Sequence, residues 1–338
     1  MRYNRKAARD RAAAWRVKRR GSLEHRTKRI LHALIGALLF GAAVWVLHHE
    51  LHKYGLDAMV DSLKALPPRV LGLALLFTAG NYTILTQYDA LAFLYIRQHL
   101  PYRKIALCSF IGYAFSNNAG FNTVSGSSVR YRFYSAWGVP SQQILKIVIF
   151  YSLTFYVGLF TLGGLVFVLE PLDVPGGIKM PFLTLRPLGF LFLAAGTAYL
   201  LVSAFLHHPF RLKGYQFAVP SLRIALLQVV VSGLDWMLAS AVLYVLLPPG
   251  ARVPYVPFLG VFMLAQIAGL ISQVPAGLGV FETVVVLFLE EAVPAPHVLG
   301  ALLAYRAIYY VIPLLVALTM LGLHELHEKR RKRSAAKA

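Results

Sequence analysis

Residues 116–135 read S-N-N-A-G-F-N-T-V-S-G-S-S-V-R-Y-R-F-Y-S, from Ser116 to Ser135. The stretch is dense in Ser, Asn and Gly, closes on Arg130 and Arg132, and lies between long apolar segments. At membrane depth an irregular polar backbone persists only where protein buries it or where it lines a wet cavity. The stretch therefore reads as a candidate substrate pathway. Ile105 to Val129 holds 25 residues, too few for two crossings of about 17–25 residues each. A single crossing would put Arg130 and Arg132 outside. A re-entrant hairpin that enters and leaves on the cytoplasmic side keeps them inside, and is preferred.

The surroundings are those of a membrane protein. The 338 residues are 58% hydrophobic and 14% charged, with a mean hydropathy of +0.61; soluble domains average about 25% charged. Runs of membrane length occur at Ile30–Leu47, Val70–Ile96, Ile144–Leu169, Leu188–Leu206, Ile224–Leu247 and Val298–Leu323. A second break, Q-V-P-A-G-L-G-V-F-E from Gln273 to Glu282, interrupts the apolar segment Pro257–Val293 with Pro275, Gly277 and Gly279. That length fits a re-entrant hairpin or two short crossings. The two broken segments occupy matching places in the order of spans, which is the topological signature of an inverted repeat around a midplane site. The expected fold is an all-α polytopic membrane protein with six to eight transmembrane helices and two broken hairpins.

Charge sets the orientation. Residues 1–29 carry twelve Lys/Arg against Asp10 and Glu24, and residues 324–338 carry six against Glu325 and Glu328, so +14 of the net +20 sits on the two tails. Basic tails beside anionic lipid are retained in the cytoplasm; a nucleic-acid partner is the weaker reading and is set aside. The division is a basic cytoplasmic segment over 1–29, an integral membrane domain over 30–323 and a basic cytoplasmic tail over 324–338. Both termini face inward, and the Gly176-Gly177 turn faces outward. The first run follows a long basic leader without an A-x-A site, and reads as an uncleaved signal-anchor. The single Cys108 allows neither an intrachain disulfide nor a Cys metal cluster.

Charges inside spans each need a reason, because a charge at the bilayer centre costs at least about 2.5–3.5 kcal/mol on the insertion scale. Asp89, Asp235, Glu282 and Arg306 fall in this class. Glu282 and Arg306 form either a structural ion pair or a gate, together with Asp235 and the helix-breaking Gly277 and Gly279. Arg130 and Arg132 are either positive-inside anchors or, with Asp89, Asn118, Asn122, Ser125, Ser127 and Ser128, a phosphate-binding set of guanidinium, hydroxyl and N–H donors. The asparagines could serve instead as helix caps. His324-Glu325-Leu326-His327-Glu328 misses the H-E-x-x-H zinc pattern at its last position. No metal or other cofactor is expected. Neither a P-loop nor a G-x-S-x-G nucleophile motif is present, and no enzymatic activity is expected.

The block ending in R-Y-R (Arg130–Arg132), V-P-A-G-L-G-V-F-E (Val274–Glu282) and A-Y-R-A-I-Y-Y-V-I-P-L (Ala304–Leu314), with Tyr88-Asp89, resemble the membrane domain of bacterial lysylphosphatidylglycerol synthetase/flippase proteins. The likeness runs from about residue 30 to 323. It implies a domain that moves a phospholipid between leaflets, without the cytosolic domain that makes the aminoacylated lipid. The expectation is a translocase of an anionic or aminoacylated phospholipid in the bacterial inner membrane. The alternatives are a membrane-embedded lipid-modifying enzyme and a scaffold for a phospholipid synthase. Membrane phospholipids are the expected partners, with a homo-oligomer or a lipid synthase as a protein partner.

Overall fold

Pro67-Pro68 sets the start of the helix over Pro68–Tyr95, since proline's fixed φ suits the opening turn and its missing N–H is no loss there. A computed structural model describes residues 64, 66–119, 122–172, 184–206, 210–212, 215–248, 250–272 and 277–335. The basic segment 1–29, the run Ile30–Leu47 and the Gly176-Gly177 turn lie outside the described residues. Helix α1 spans Pro68–Tyr95, α2 Tyr102–Ala119, α3 Asn122–Ala136, α4 Ser141–Leu169 and α5 Arg186–Phe205. After a two-stranded antiparallel pair, β1 (Phe210–Leu212) and β2 (Tyr215–Phe217), come α6 (Leu222–Leu246), α7 (Tyr255–Ser272) and α8 (Val280–Leu289). The last stretch is α9 (Ala295–Tyr305), a π-helical segment (Arg306–Val311) and α10 (Ile312–Ala335). Among the described residues, six helical stretches are long and apolar enough to cross a bilayer: α1, α4, α5, α6, α7 and Ala295–Glu328.

The all-α architecture is as expected, with one short strand pair in the loop from His207 to Arg223. One expectation is corrected. The stretch from Ser116 to Ser135 is largely helical rather than irregular: α2 runs to Ala119 and α3 begins at Asn122, because backbone N–H and C=O groups sealed from water must pair internally.

The first hairpin folds back on itself where glycine permits close approach. A Cβ on Gly126 would collide with the Ser116 hydroxyl and stand 3.0 Å from Arg130 Nη1, and one on Gly112 would stand 2.9 Å from the same nitrogen. Position 112 thus faces 130 while 116 faces 126, an antiparallel pair of arms. The second hairpin, α7 and α8, closes in the same way: the Phe262 and Phe281 rings lie 5.5 Å apart, and Gly277, at φ +63°, lies against Gly269. With ten residues, α8 is about 15 Å long, half the hydrocarbon thickness of about 30 Å. It does not cross by itself, which leaves the hairpin as the form this segment takes.

The packing is reciprocal. Helices α1 and α6 run antiparallel at the centre, with Asn81 against Asp235 and Tyr95 against Ala218. The first hairpin packs on α10 as the second packs on α4; α1 packs on α4 as α6 packs on α9. This is the arrangement of an inverted repeat, α1–α4 against α6–α10, with α5 left unmatched among the described residues. Helix α5 buries only Gly189, Phe192, Gly196 and Ser203 and exposes Phe190, Leu191, Leu201 and Phe205. A helix apolar all round with so little of it covered is built to face lipid.

Candidate functional site

Two buried ion pairs and one partly exposed pair tie the hairpins to the body. In the first, Asp89 comes from α1 and Arg130 from α3, and both side chains are fully buried. Arg130 donates Nε to Asp89 Oδ1 at 2.8 Å and Nη2 to Oδ2 at 2.6 Å, while Nη1 reaches the Gly126 carbonyl at 3.3 Å. Ser109 and Tyr134 donate to the same carboxylate at 2.7 and 3.0 Å. The guanidinium lies over the rings of Tyr113 and Tyr151, 4.6 and 3.9 Å from their centroids. Fork, aromatic faces and acceptors are all engaged, so Arg130 has no room for a lipid phosphate in this conformation. It is a lock.

In the second pair the polarity is reversed: the hairpin supplies the carboxylate. Gly279, at φ +83°, opens α8. Its N–H donates to Glu282 Oε2 at 2.7 Å, so Glu282 caps its own helix. The other oxygen, Oε1, accepts a hydrogen bond from Arg306 Nε at 2.8 Å and lies 2.6 Å from Nη2 in the ion pair. Arg306 stands where α9 passes into the π-helical segment, an irregularity that recurs at functional sites. Beside this pair, between α8 and α9, lies an open cleft of about 500 Å³ with Gly279, Glu282 and Thr283 at its polar end and Val286, Leu287 and Leu299 on its walls; Glu290 also lines it.

The third pair is a latch. Arg132 of α3 binds Glu325 of α10, with the Glu325 side chain 40% exposed. Beside it the Phe133 ring lies 5.1 Å from the His324 ring, and Lys104 Nζ stands 5.4 Å above Trp137. A pair as open to water as this one contributes about 0.2–1 kcal/mol, whereas removing one partner of a buried pair costs about 3–5 kcal/mol.

Asp235 stands at the centre. Asn81 donates Nδ2 to its Oδ1 at 2.7 Å and Tyr88 donates its hydroxyl to Oδ2 at 2.7 Å. Tyr309, from the π-helical segment, donates to Asn81 Oδ1 at 2.8 Å. Tyr82 donates to the Tyr309 carbonyl at 3.3 Å and accepts from Asn117 at 3.4 Å, and Asn118 donates to the Tyr310 carbonyl at 3.2 Å. The tip of the first hairpin, both central helices and the π-helical segment thus share one polar network.

Asp89 and Arg130 are together, as are Glu282 and Arg306; Asp235 joins neither pair. Asn118 is buried rather than facing a wet groove, and Ser127 and Ser128 are half-buried on α3. Asn122 and Ser125 lie in α3, with their side chains outside the described residues. Sequence reading passed over the Arg132–Glu325 latch, and over Ser109, Tyr134, Tyr113 and Tyr151 around the first lock. Among the described residues, no three His, Cys, Asp or Glu side chains converge where a metal could sit.

Residues 33–317 match the family model described as the lysylphosphatidylglycerol synthase TM region. The chain belongs to this family. Relatives include Uncharacterized protein slr0712 of Synechocystis sp., 43% identical over 306 residues, covering 90% of this chain and 95% of that one. Inner membrane protein YbhN of Escherichia coli is 38% identical over 261 residues, covering 76% and 81%. Phosphatidylglycerol lysyltransferase of Staphylococcus haemolyticus is 27% identical over 315 residues, covering 92% of this chain but 36% of its own length. The likeness to the lysyltransferase is confined to about a third of that protein. As a member of the lysylphosphatidylglycerol synthase TM family with six helical stretches of membrane length, the chain is a multi-pass membrane protein.

Proposed function

We propose that this chain is a phospholipid translocase of the bacterial inner membrane, moving an anionic or aminoacylated phospholipid between leaflets. The observation that carries the reading is the cleft between α8 and α9, whose apolar walls end in a polar patch next to a buried ion pair. An amphiphile fits such a shape: acyl chains along Val286, Leu287 and Leu299, head-group hydroxyls or an aminoacyl amine against Glu282 and Thr283, and the phosphate turned towards the Arg306 guanidinium. A bare phosphate crossing hydrocarbon would cost tens of kcal/mol by Born solvation, so a path that supplies both charges and hydroxyls lowers that barrier while the chains stay in lipid.

The two hairpins are the moving parts of this reading. Each is secured by one carboxylate–guanidinium pair, and the first is closed at its base by the weak Arg132–Glu325 latch. Arg132 exchanges Glu325 for the lipid phosphate when the latch opens, and Arg130 keeps the hairpin registered on α1 throughout. No bond in the lipid is made or broken.

The test is purified protein in liposomes containing a fluorescent phospholipid, with an impermeant quencher reporting the leaflet exposed. The expected result is protein-dependent exchange of chemically unchanged lipid. Covalent change of the lipid would support a lipid-modifying enzyme instead, and neither exchange nor change would leave the scaffold reading.

A further inference from the structure

Among the described residues three carboxylates are buried: Asp89, Asp235 and Glu282. Two of them hold an arginine, and Asp235 holds none. Its surroundings on α1 are Asn81, Tyr82 and Tyr88; α2 presents Tyr113 and the π-helical segment Tyr309. Along α6, Tyr255 of α7 reaches Ser240 and Met237, while Thr154 of α4 and Tyr199 of α5 meet Gln228 two turns away. These neighbours are neutral, and Arg130 lies beyond the Tyr113 ring. Buried carboxylates without a cation take up a proton rather than stay charged, and ionisable groups at membrane depth mark proton relays.

We propose that Asp235 is a proton-binding site, and that lipid movement is coupled to proton uptake and release there. The step balances simply. A proton from water adds to one Asp235 Oδ, turning carboxylate into carboxylic acid; the new O–H donates to Tyr88 Oη, and the tyrosine proton turns away. Release reverses it. Protonation reverses the hydrogen bond between Tyr88 and Asp235, so conformations that differ at this site bind the proton unequally and protonation biases one state over the other. The bias reaches the hairpin because Asp235, Asn81, Tyr309, Tyr82 and Asn117 are joined by successive hydrogen bonds. Asn117, at the hairpin tip, is only half-buried.

The proposal rests on the translocase reading and has its own readout. Liposomes of phosphatidylglycerol and phosphatidylethanolamine hold the full-length protein, a labelled phosphatidylglycerol and a one-unit pH gradient, with the membrane potential clamped by potassium and valinomycin. For one proton per lipid, the label should distribute between leaflets with a ratio approaching about tenfold, and reversing the gradient should reverse the asymmetry. Asp235→Asn should abolish the asymmetry. Tyr88→Phe, which removes a donor to the carboxylate, should move the midpoint of the rate–pH profile to higher pH and serves where Asp235→Asn does not fold. Exchange that stays symmetric under the gradient overturns coupling and leaves the translocase standing. Asymmetry that persists in Asp235→Asn, or an unmoved midpoint in Tyr88→Phe, overturns the assignment to Asp235. Absence of any lipid movement overturns both readings.

Discussion

Removing both partners of the Asp89–Arg130 lock should damage the protein less than the two single removals added together. Arg130→Gln leaves the Asp89 carboxylate fully buried with only Ser109 and Tyr134 as donors. Asp89→Asn leaves the guanidinium to the Gly126 carbonyl and the faces of Tyr113 and Tyr151. Breaking a buried pair from one side costs about 3–5 kcal/mol. A desolvated cation–π contact returns about 2 kcal/mol, so Asp89→Asn should fall at the lower end and Arg130→Gln at the upper. The double variant carries no stranded charge and should lose less than the sum of the singles, with a coupling energy of at least about 2 kcal/mol. Unfolding in mixed micelles by titration with dodecyl sulfate, followed by circular dichroism, gives the four corners of the cycle. Single losses that add to the double within about 0.5 kcal/mol would show independent sites and refute the lock. Arg130→Lys should recover only part of the stability, since a point charge cannot reproduce the two-nitrogen fork.

Other expectations follow from the same geometry. Glu282→Gln should lose the Arg306 pair and weaken the cap on Gly279, lowering both thermal stability in detergent and lipid movement; retention of both would deny the second lock. Gly126→Val should separate the arms of the first hairpin at Ser116 and Arg130 and reduce the yield of folded protein, which size-exclusion chromatography reads directly. Cys108, fully buried, should resist a small maleimide in native membranes and react after denaturation; rapid native labelling would contradict a sealed first hairpin. Reporter fusions should place both termini in the cytoplasm and Gly176 outside, in accord with the Lys/Arg asymmetry.

What sequence made legible was whatever the bilayer constrains by length. The runs at Val70–Ile96, Ile144–Leu169, Leu188–Leu206 and Ile224–Leu247 became α1, α4, α5 and α6 with ends shifted by three residues or fewer. The first hairpin was visible because its segment is too short to cross twice; at the second, Pro275, Gly277 and Gly279 marked the break but left a hairpin and two short crossings both open. The helicity of α2 and α3 was not, since Ser, Asn and Gly are weak helix formers and only tertiary burial forces their backbone to pair within the chain. The Asp89–Arg130 and Glu282–Arg306 partnerships could be guessed from a shortage of charge inside spans. The Arg132–Glu325 latch joins residues 193 apart, and the network around Asp235 spans up to 228; no local pattern carries such distances. The π-helical segment Arg306–Val311 also left no mark in A-Y-R-A-I-Y-Y, where apolar and aromatic residues are equally at home in an ordinary helix.

The account stands most directly on whether the first hairpin must move for lipid to cross. In a Cys108→Ala background, Phe133→Cys with His324→Cys, whose native rings lie 5.1 Å apart, joins α3 to α10 beside the latch through a short bis-thiosulfonate linker that reductant cleaves, with Arg132 and Glu325 left in place. Lipid exchange in liposomes is then measured on one sample before and after reduction. Exchange suppressed while the linker is intact and restored on cleavage is the predicted result. Equal exchange in both states would contradict hairpin motion, and none in either, with the uncross-linked wild type also silent, would contradict translocation itself.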